Sequence, residues 1–177
     1  TMQEYQHIIE ILALSMGVAW ASGINLYAVL LTLGIGSLSG YIDLPEQLQV
    51  LQSPAVIGAA GLMYLVEFTA DKTPGVDTVW DGIHTFIRLP AGALLAAGAV
   101  GDVELPLAIA AAIVGGGLSA SSHAVKTGSR VMINTSPEPL SNWGASLLED
   151  VAVIAAIWAA LQHPLILLVL LAVFILL

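Results

Sequence analysis

The sequence predicts an all-α integral membrane protein of about six transmembrane helices, forming one membrane domain over residues 1–177 with two inverted three-helix repeats as the expected arrangement. Three observations carry this. Of 177 residues, 58% are hydrophobic and only 10% charged, where a soluble domain carries roughly a quarter charged residues. Mean hydropathy is +0.92, and four Lys plus Arg with thirteen Asp plus Glu cannot cover a core of this size with polar surface. Finally, apolar stretches near the length of a bilayer crossing recur along the whole chain, separated by turn-forming residues.

A crossing helix needs roughly 20 apolar residues, because the hydrocarbon core is about 30 Å thick and each helical residue rises about 1.5 Å. The first candidate, Ile8 to Ile35, is long enough to require a tilt or a break, and the polar run Ser22-Gly23-Ile24-Asn25 is the expected break. The second runs from Pro54, well suited to a first helical turn, to Asp71, with Pro74 just beyond. The third is expected from Thr85 or Pro90 to Gly101, the fourth from Pro106 to Val125 and the fifth from Asn142 to Leu161. The sixth, Pro164 to Leu177, is short, with fourteen residues rising only about 21 Å, so the expectation is either a trimmed C-terminus or a segment that spans only partly. Loops are expected at Gly40 to Ser53 and at Asn134 to Ser141.

Orientation is expected from the basic residues, which are retained on the cytoplasmic side. Lys72 and Arg88 flank one loop and Lys126 and Arg130 open another, so both loops and both termini are placed in the cytoplasm. Asp43, Glu46, Asp102 and Glu104 fall on the far side. The repeat, with halves 8–101 and 105–177, rests on the likeness of Trp20-Ala21-Ser22-Gly23-Ile24-Asn25 to Leu118-Ser119-Ala120-Ser121-Ser122-His123, and of Leu65-Val66-Glu67 to Leu147-Leu148-Glu149.

Composition also excludes functions. A formal charge of −9 without a basic cluster argues against nucleic acid as a partner. The absence of cysteine removes disulfides, thiolate metal sites and thiol nucleophiles. The N-terminal residues lack the basic flank of a secretory signal. No metalloprotease, nucleophile-elbow or phosphate-loop pattern is present, so the expectation is not an enzyme, and no bound cofactor.

Ionisable groups within a bilayer cost roughly 2.5 kcal/mol or more each, so they face a cavity and pair with something. Glu67 and Asp71, four apart on one helix, share a face and can jointly hold a cation or pass protons. Glu149 of the adjacent pair Glu149-Asp150 is chosen to face the same cavity. Ser119, Ser122, His123, Lys126 and Arg130 form one stripe of the fourth helix, which should face protein or water. Asp77, Asp81, His84 and Arg88 also fall at helical spacing, on a short interfacial helix whose apolar side would be Trp80, Ile83, Phe86 and Ile87. The candidate ion or substrate site is therefore Ser22, Asn25, Glu67, Asp71, Ser122, His123 and Glu149, with Glu67, Asp71, Asp77, Asp81 and His84 as metal ligands. The same residues have a plainer reading. Glu149 would form a salt bridge with Lys126 or Arg130, Asp71 would sit at the interface beside Lys72, and His123 would be a packing residue. Runs such as Gly58-Ala59-Ala60-Gly61 and Gly115-Gly116-Gly117 permit close helix approach.

Gly23-Ile24-Asn25-Leu26-Tyr27, Glu67 to Pro74, Val76-Asp77, Trp80-Asp81 and His84-Thr85 together resemble a bacterial family of small membrane proteins known as a domain of unknown function. That resemblance covers nearly the whole chain and implies a multi-pass protein of the bacterial inner membrane, with no activity attached. More distantly, Glu67 to Thr73 resembles the Glu-x-Gly-Asp-Lys-Thr signature of cation/proton antiporters that move manganese or calcium and are built from two inverted three-helix halves. Here three residues, not two, separate Glu from Asp, Ala70 replaces the glycine, and Glu149-Asp150 lacks the glycine and lysine.

The expectation is a small secondary transporter, a cation/proton antiporter using intramembrane carboxylates and carrying a small ion such as a divalent cation. A channel or carrier for a polar organic solute or lipid headgroup, held by Lys126 and Arg130, is the alternative, followed by a non-transporting scaffold. A homodimer would supply further helices to shield so many acids from the lipid bilayer.

Overall fold

The computed structural model describes residues 1–136 and 138–177, so within the expected loop at Asn134 to Ser141 only Pro137 lies outside the described residues. Among the described residues there are six α-helices, one 3-10 helix and no strand. The α-helices are α1 (Met2–Leu38), α2 (Pro54–Ala70), α3 (Val76–Ala99), α4 (Leu105–Ile133), α5 (Pro139–Gln162) and α6 (Pro164–Leu176), with the 3-10 helix Glu46–Gln52 preceding α2. The protein is an all-α membrane protein. Three helices, α1, α4 and α5, are long and apolar enough to cross a membrane, and a fourth span results if the 3-10 helix and α2 count as one bent unit.

This is fewer than six spans, because α3 and α6 do not qualify and α2 does so only together with the 3-10 helix; α1, moreover, is not one straight crossing. Asn25 has non-helical backbone angles (φ −150°, ψ 96°) and divides α1 into two arms, residues 2–24 and 26–38. The first arm descends along α3: Ser15 donates to the Ala96 carbonyl at 2.8 Å, and Ser22 lies 3.5 Å from Ser119 of α4. Beyond Asn25 the chain turns back. Tyr27 meets His84, Leu31 faces Gly61, Gly34 abuts Leu51 and Ile57, and Gly36 abuts Ile42. Asp43, Leu44 and Pro45 then line one cleft with His7, Glu10, Leu14 and Ala99, so both ends of α1 lie at the same end of the bundle. Thirteen residues of return arm rise about 20 Å, enough to reach the bundle's middle but not to cross it. The expected break is thus present, and it makes a re-entrant hairpin.

Asn25 explains the turn locally. Its Oδ1 accepts from the Ala28 amide at 3.1 Å, capping the return arm as an asparagine caps a helix N-terminus. Close packing of the tip depends on small residues. A Cβ on Gly23 would run into the Ser119 carbonyl and Ser122 hydroxyl, and one on Gly92 would strike the Ser119 side chain.

Other boundaries move as well. The third helix begins at Val76, so the expected interfacial helix over residues 73–88 is the first half of α3, with Pro90 inside it. Asp77, Asp81, His84 and Arg88 turn inward and are buried, whereas Val79, Ile83 and Phe86 turn outward. The fourth helix continues to Ile133, which puts Lys126 and Arg130 inside a helix and not in a loop. In the sequence alone such extensions look like interruptions, because charged residues fit inside a helix only where a partner surface satisfies them.

The orientation expectation changes for the same reason. All four basic residues are buried: Lys72 is 7% exposed, Lys126 3%, and Arg88 and Arg130 0%. They are not free cytoplasmic charges of the kind that set topology. The N-terminal residues, moreover, pack beside Gln162 and His163, at the end opposite the Lys72 and Asn134 loops. α6 is a short descending segment, whose Phe174 ring meets Trp20 edge-on at 5.8 Å. The paired stretches around Ser22 and Ser119 pack on one another, but α4 runs unbroken where α1 turns back.

Candidate functional site

The two helical stripes read from the sequence meet in the bundle's interior. α3 presents Asp81, His84 and Arg88, and α4 presents Ser119, Ser122, His123, Lys126 and Arg130, all of them buried. α2 adds Glu67 from its last turn and Asp71 as its C-cap, and α5 adds Glu149 and Asp150. The tip of the α1 hairpin closes the group from one side.

Arg88 forms salt bridges with Glu67 and with Asp81, the latter at 3.0 Å. Lys126 stands among four carboxylates: Glu67 at 3.2 Å, Asp71 at 3.3 Å, and Asp81 and Glu149 at 3.4 Å each. It also donates to the Ile24 carbonyl at 3.0 Å, a group the break at Asn25 leaves without its ordinary helical partner. Arg130 grips both oxygens of Glu149 at 2.9 and 2.8 Å, donates to the Asp71 and Asn142 carbonyls, and lies 3.7 Å from Asp77. A planar guanidinium suits this bidentate role, and a lysine would not replace it. Glu67, Asp77, Asp81, Arg88 and Arg130 are each 0% exposed. Five carboxylates share three bases, leaving two formal negative charges in excess. Moreover, Glu67 Oε2, Asp71 Oδ1, Asp81 Oδ2 and Arg88 Nε are buried without a hydrogen-bond partner.

A polar seam between α2 and α5 forms the rim. Asp150 accepts from Asn25 at 3.0 Å and from the Tyr64 hydroxyl at 2.7 Å. Lys72, in the turn after α2, donates to Ser146 at 2.9 Å and lies 3.0 Å from the centre of the Phe68 ring. Burial pushes its pKa below the ordinary lysine value, against the opposing charges of Asp150 and Asp71.

Hydrogen bonding fixes the histidine tautomers. Arg88 can only donate, so His123 Nδ1, 3.2 Å away, accepts, and Nε2 carries the proton toward Thr85 at 2.7 Å. His84 donates from Nδ1 to the Trp80 carbonyl at 3.0 Å and accepts from Tyr27 at Nε2, 2.9 Å.

A family model described as a domain of unknown function (DUF4126) matches residues 12–177. The chain belongs to that family. No curated protein and no solved structure matches it. The DUF4126 match takes in the hairpin from residue 12 onward and every charged residue of the interior cluster.

Within this DUF4126 chain, Ser22, Asn25, Glu67, Asp71, Ser122, His123 and Glu149 all border the same interior. The salt bridge expected as the plainer reading of Glu149 is present, with Arg130 as its main partner. The five expected metal ligands do not form one site. His84 is engaged by Tyr27 and Trp80, and Asp77 by Asn134 and the Gly75 amide. Among the described residues no three His, Asp or Glu side chains are placed to hold a metal ion, and the Lys126 ammonium occupies the point its four carboxylates share. Sequence reasoning passed over Arg88 as a centre of the site, and over Tyr64 and Asp150. Arg88 had a signal, since it follows Asp81 by seven residues and so lies on the same face. Tyr64 and Asp150 had none, because their meeting depends on how α2 and α5 pack.

Proposed function

We propose that this protein is a small secondary transporter that exchanges protons for a cation at its intramembrane carboxylates. One observation carries the reading. Five carboxylates and three bases lie together, nearly all shut off from the exterior, at the tip of a re-entrant hairpin. Burying so many charges is rarely a route to stability, since hydrophobic residues of similar volume serve a fold as well or better. Ionisable groups within membrane helices mark ion and proton pathways. Two features add support. The excess of two negative charges suits a site that takes up protons or a cation, and non-helical backbone at membrane depth is tolerated where it lines such a site. The carrier for an anionic solute draws less support, because Arg88, Lys126 and Arg130 already engage carboxylates.

Flux of a panel of monovalent and divalent cations into proteoliposomes, driven by an imposed pH gradient, tests this. Proton-coupled uptake of at least one cation is expected from the wild type, with a fall of about tenfold or more in Glu67→Gln. Absence of coupled flux for every cation in the panel would overturn the proposal.

A further inference from the structure

The groups in hydrogen-bonding or ion-pair contact with the Lys126 ammonium are all oxygens. The Ile24 carbonyl of α1, Glu67 and Asp71 of α2, Asp81 of α3 and Glu149 of α5 place five oxygens between 3.0 and 3.4 Å from Nζ. An ammonium group has three hydrogens and can donate to three of them at a time. The rest are held by charge alone, a limit that a spherical cation does not have. Glu67, Asp71 and Asp81 each keep a second buried oxygen with no hydrogen-bond partner, acceptor capacity that the lysine leaves unused.

We propose that Lys126 is a tethered occupant of the transported cation's own site, and that a monovalent cation of ammonium size takes its place when Lys126 gives up its proton. The step balances. One N–H bond at Nζ breaks, the electron pair stays on the amine nitrogen, the proton leaves to water, and the entering cation restores the lost positive charge. The exchange is therefore one proton for one cation, with no net change of charge in the site. This inference rests on the antiport reading and adds the cation class and the residue that couples the two fluxes.

Size selects the class. Calcium binds oxygen at about 2.3–2.6 Å and magnesium at about 2.0–2.1 Å, well inside the cage around Nζ. Arg88 tethers Glu67 and Asp81, and Arg130 tethers Glu149, so three of the four carboxylates resist drawing inward around a small divalent ion. A potassium-like ion or a primary ammonium group suits a cage of this width, whereas tetramethylammonium, with methyl groups in place of hydrogens, is too large for it.

Competition between proton and cation also sets the pH dependence. The charged and titratable groups facing Lys126 are Glu67 and Asp71 from α2, Asp81 and Arg88 from α3, Glu149 from α5, and His123 and Arg130 from its own helix, while α1 offers the Ile24 carbonyl. With one proton released per cation bound, apparent cation affinity rises by about tenfold per pH unit.

Proton release on adding potassium chloride to the purified, weakly buffered full-length protein in detergent is the test, with tetramethylammonium chloride as a control of equal ionic strength. About one proton per bound potassium is expected, none with the control, and tighter binding between about pH 6 and about pH 9. The charge-balanced variant Lys126→Met with Glu67→Gln, checked for folding by size exclusion, is expected to bind potassium without releasing protons. No release and no binding by the wild type across that range would overturn the proposal, as would equal release from the variant. Flux in proteoliposomes separates the two readings. Proton release on binding without any flux would sink antiport and leave the occupant role of Lys126, whereas coupled flux without release on binding would do the reverse.

Discussion

The two ends of the bundle carry acids in similar number and treat them in opposite ways. At the end where the chain begins and the α3–α4 connection lies, Glu10, Asp43, Glu46, Asp102 and Glu104 are exposed, and none of them has a basic side chain as partner. Toward the other end, Glu67, Asp71, Asp77 and Asp81 are buried, Glu149 and Asp150 are half-buried, and every Lys and Arg of the chain is buried among them. An acid in water needs no partner, so the first group needs no bases. An acid removed from water needs a counter-charge and donors, and that need explains why the chain sends all of its bases inside. The contrast separates residues that keep the protein hydrated from residues that the fold has been built around.

Substitutions can break this contrast, and the largest effect should come from Arg130. Removing it by Arg130→Ala strips Glu149 of both its guanidinium hydrogen bonds and leaves the Asp71 and Asn142 carbonyls short of a donor. A loss of about 3–5 kcal/mol is expected in equilibrium unfolding in mixed micelles; a loss under about 1 kcal/mol would mean that the carboxylates do not depend on this base. Next comes the hairpin tip. Asn25→Ala deletes the cap on the return arm and the hydrogen bond to Asp150, and about 1–2 kcal/mol should be lost in the same assay. An unchanged midpoint there would place the origin of the turn in the packing of Gly23 and not in the cap. The smallest effect belongs to the hydrated end, where Asp102→Asn should change stability by no more than about 0.5 kcal/mol. A larger loss would show that the acids of the two ends are less different than their burial suggests.

Much of the site was legible as periodicity. Residues 77, 81, 84 and 88 on α3, and 119, 122, 123, 126 and 130 on α4, recur at helical spacing, and each set occupies one inward face. Glu67 and Asp71 likewise share a face because they lie four apart. The break near Asn25 was legible too, as polar residues interrupting an apolar run. Its consequence was not. A polar interruption is compatible with a kinked crossing or with a reversal, and the difference lies in contacts such as Tyr27 with His84 and Gly34 with Leu51, between residues distant in sequence. Counting apolar stretches also gave six crossings where three or four helices qualify, because α3 and the short α6 were counted with the rest. The same blindness affected Lys126 and Arg130, which resemble topological anchors in any one-dimensional reading, since a sequence does not say whether a base finds water or a carboxylate.

By itself, the sequence determined the solvent and the local grammar of this protein. Its apolar content requires lipid around an all-helical chain, and the spacing of its polar residues determines which ones share a face. Only the tertiary structure decided which faces meet, that the first helix doubles back, and that Lys126 comes to stand among four carboxylates from three other helices. The physical reason is range. Helical periodicity is set by bonds between residues a few positions apart, whereas the partner of a buried charge is set by packing between segments as much as 125 residues apart, as for Asn25 and Asp150.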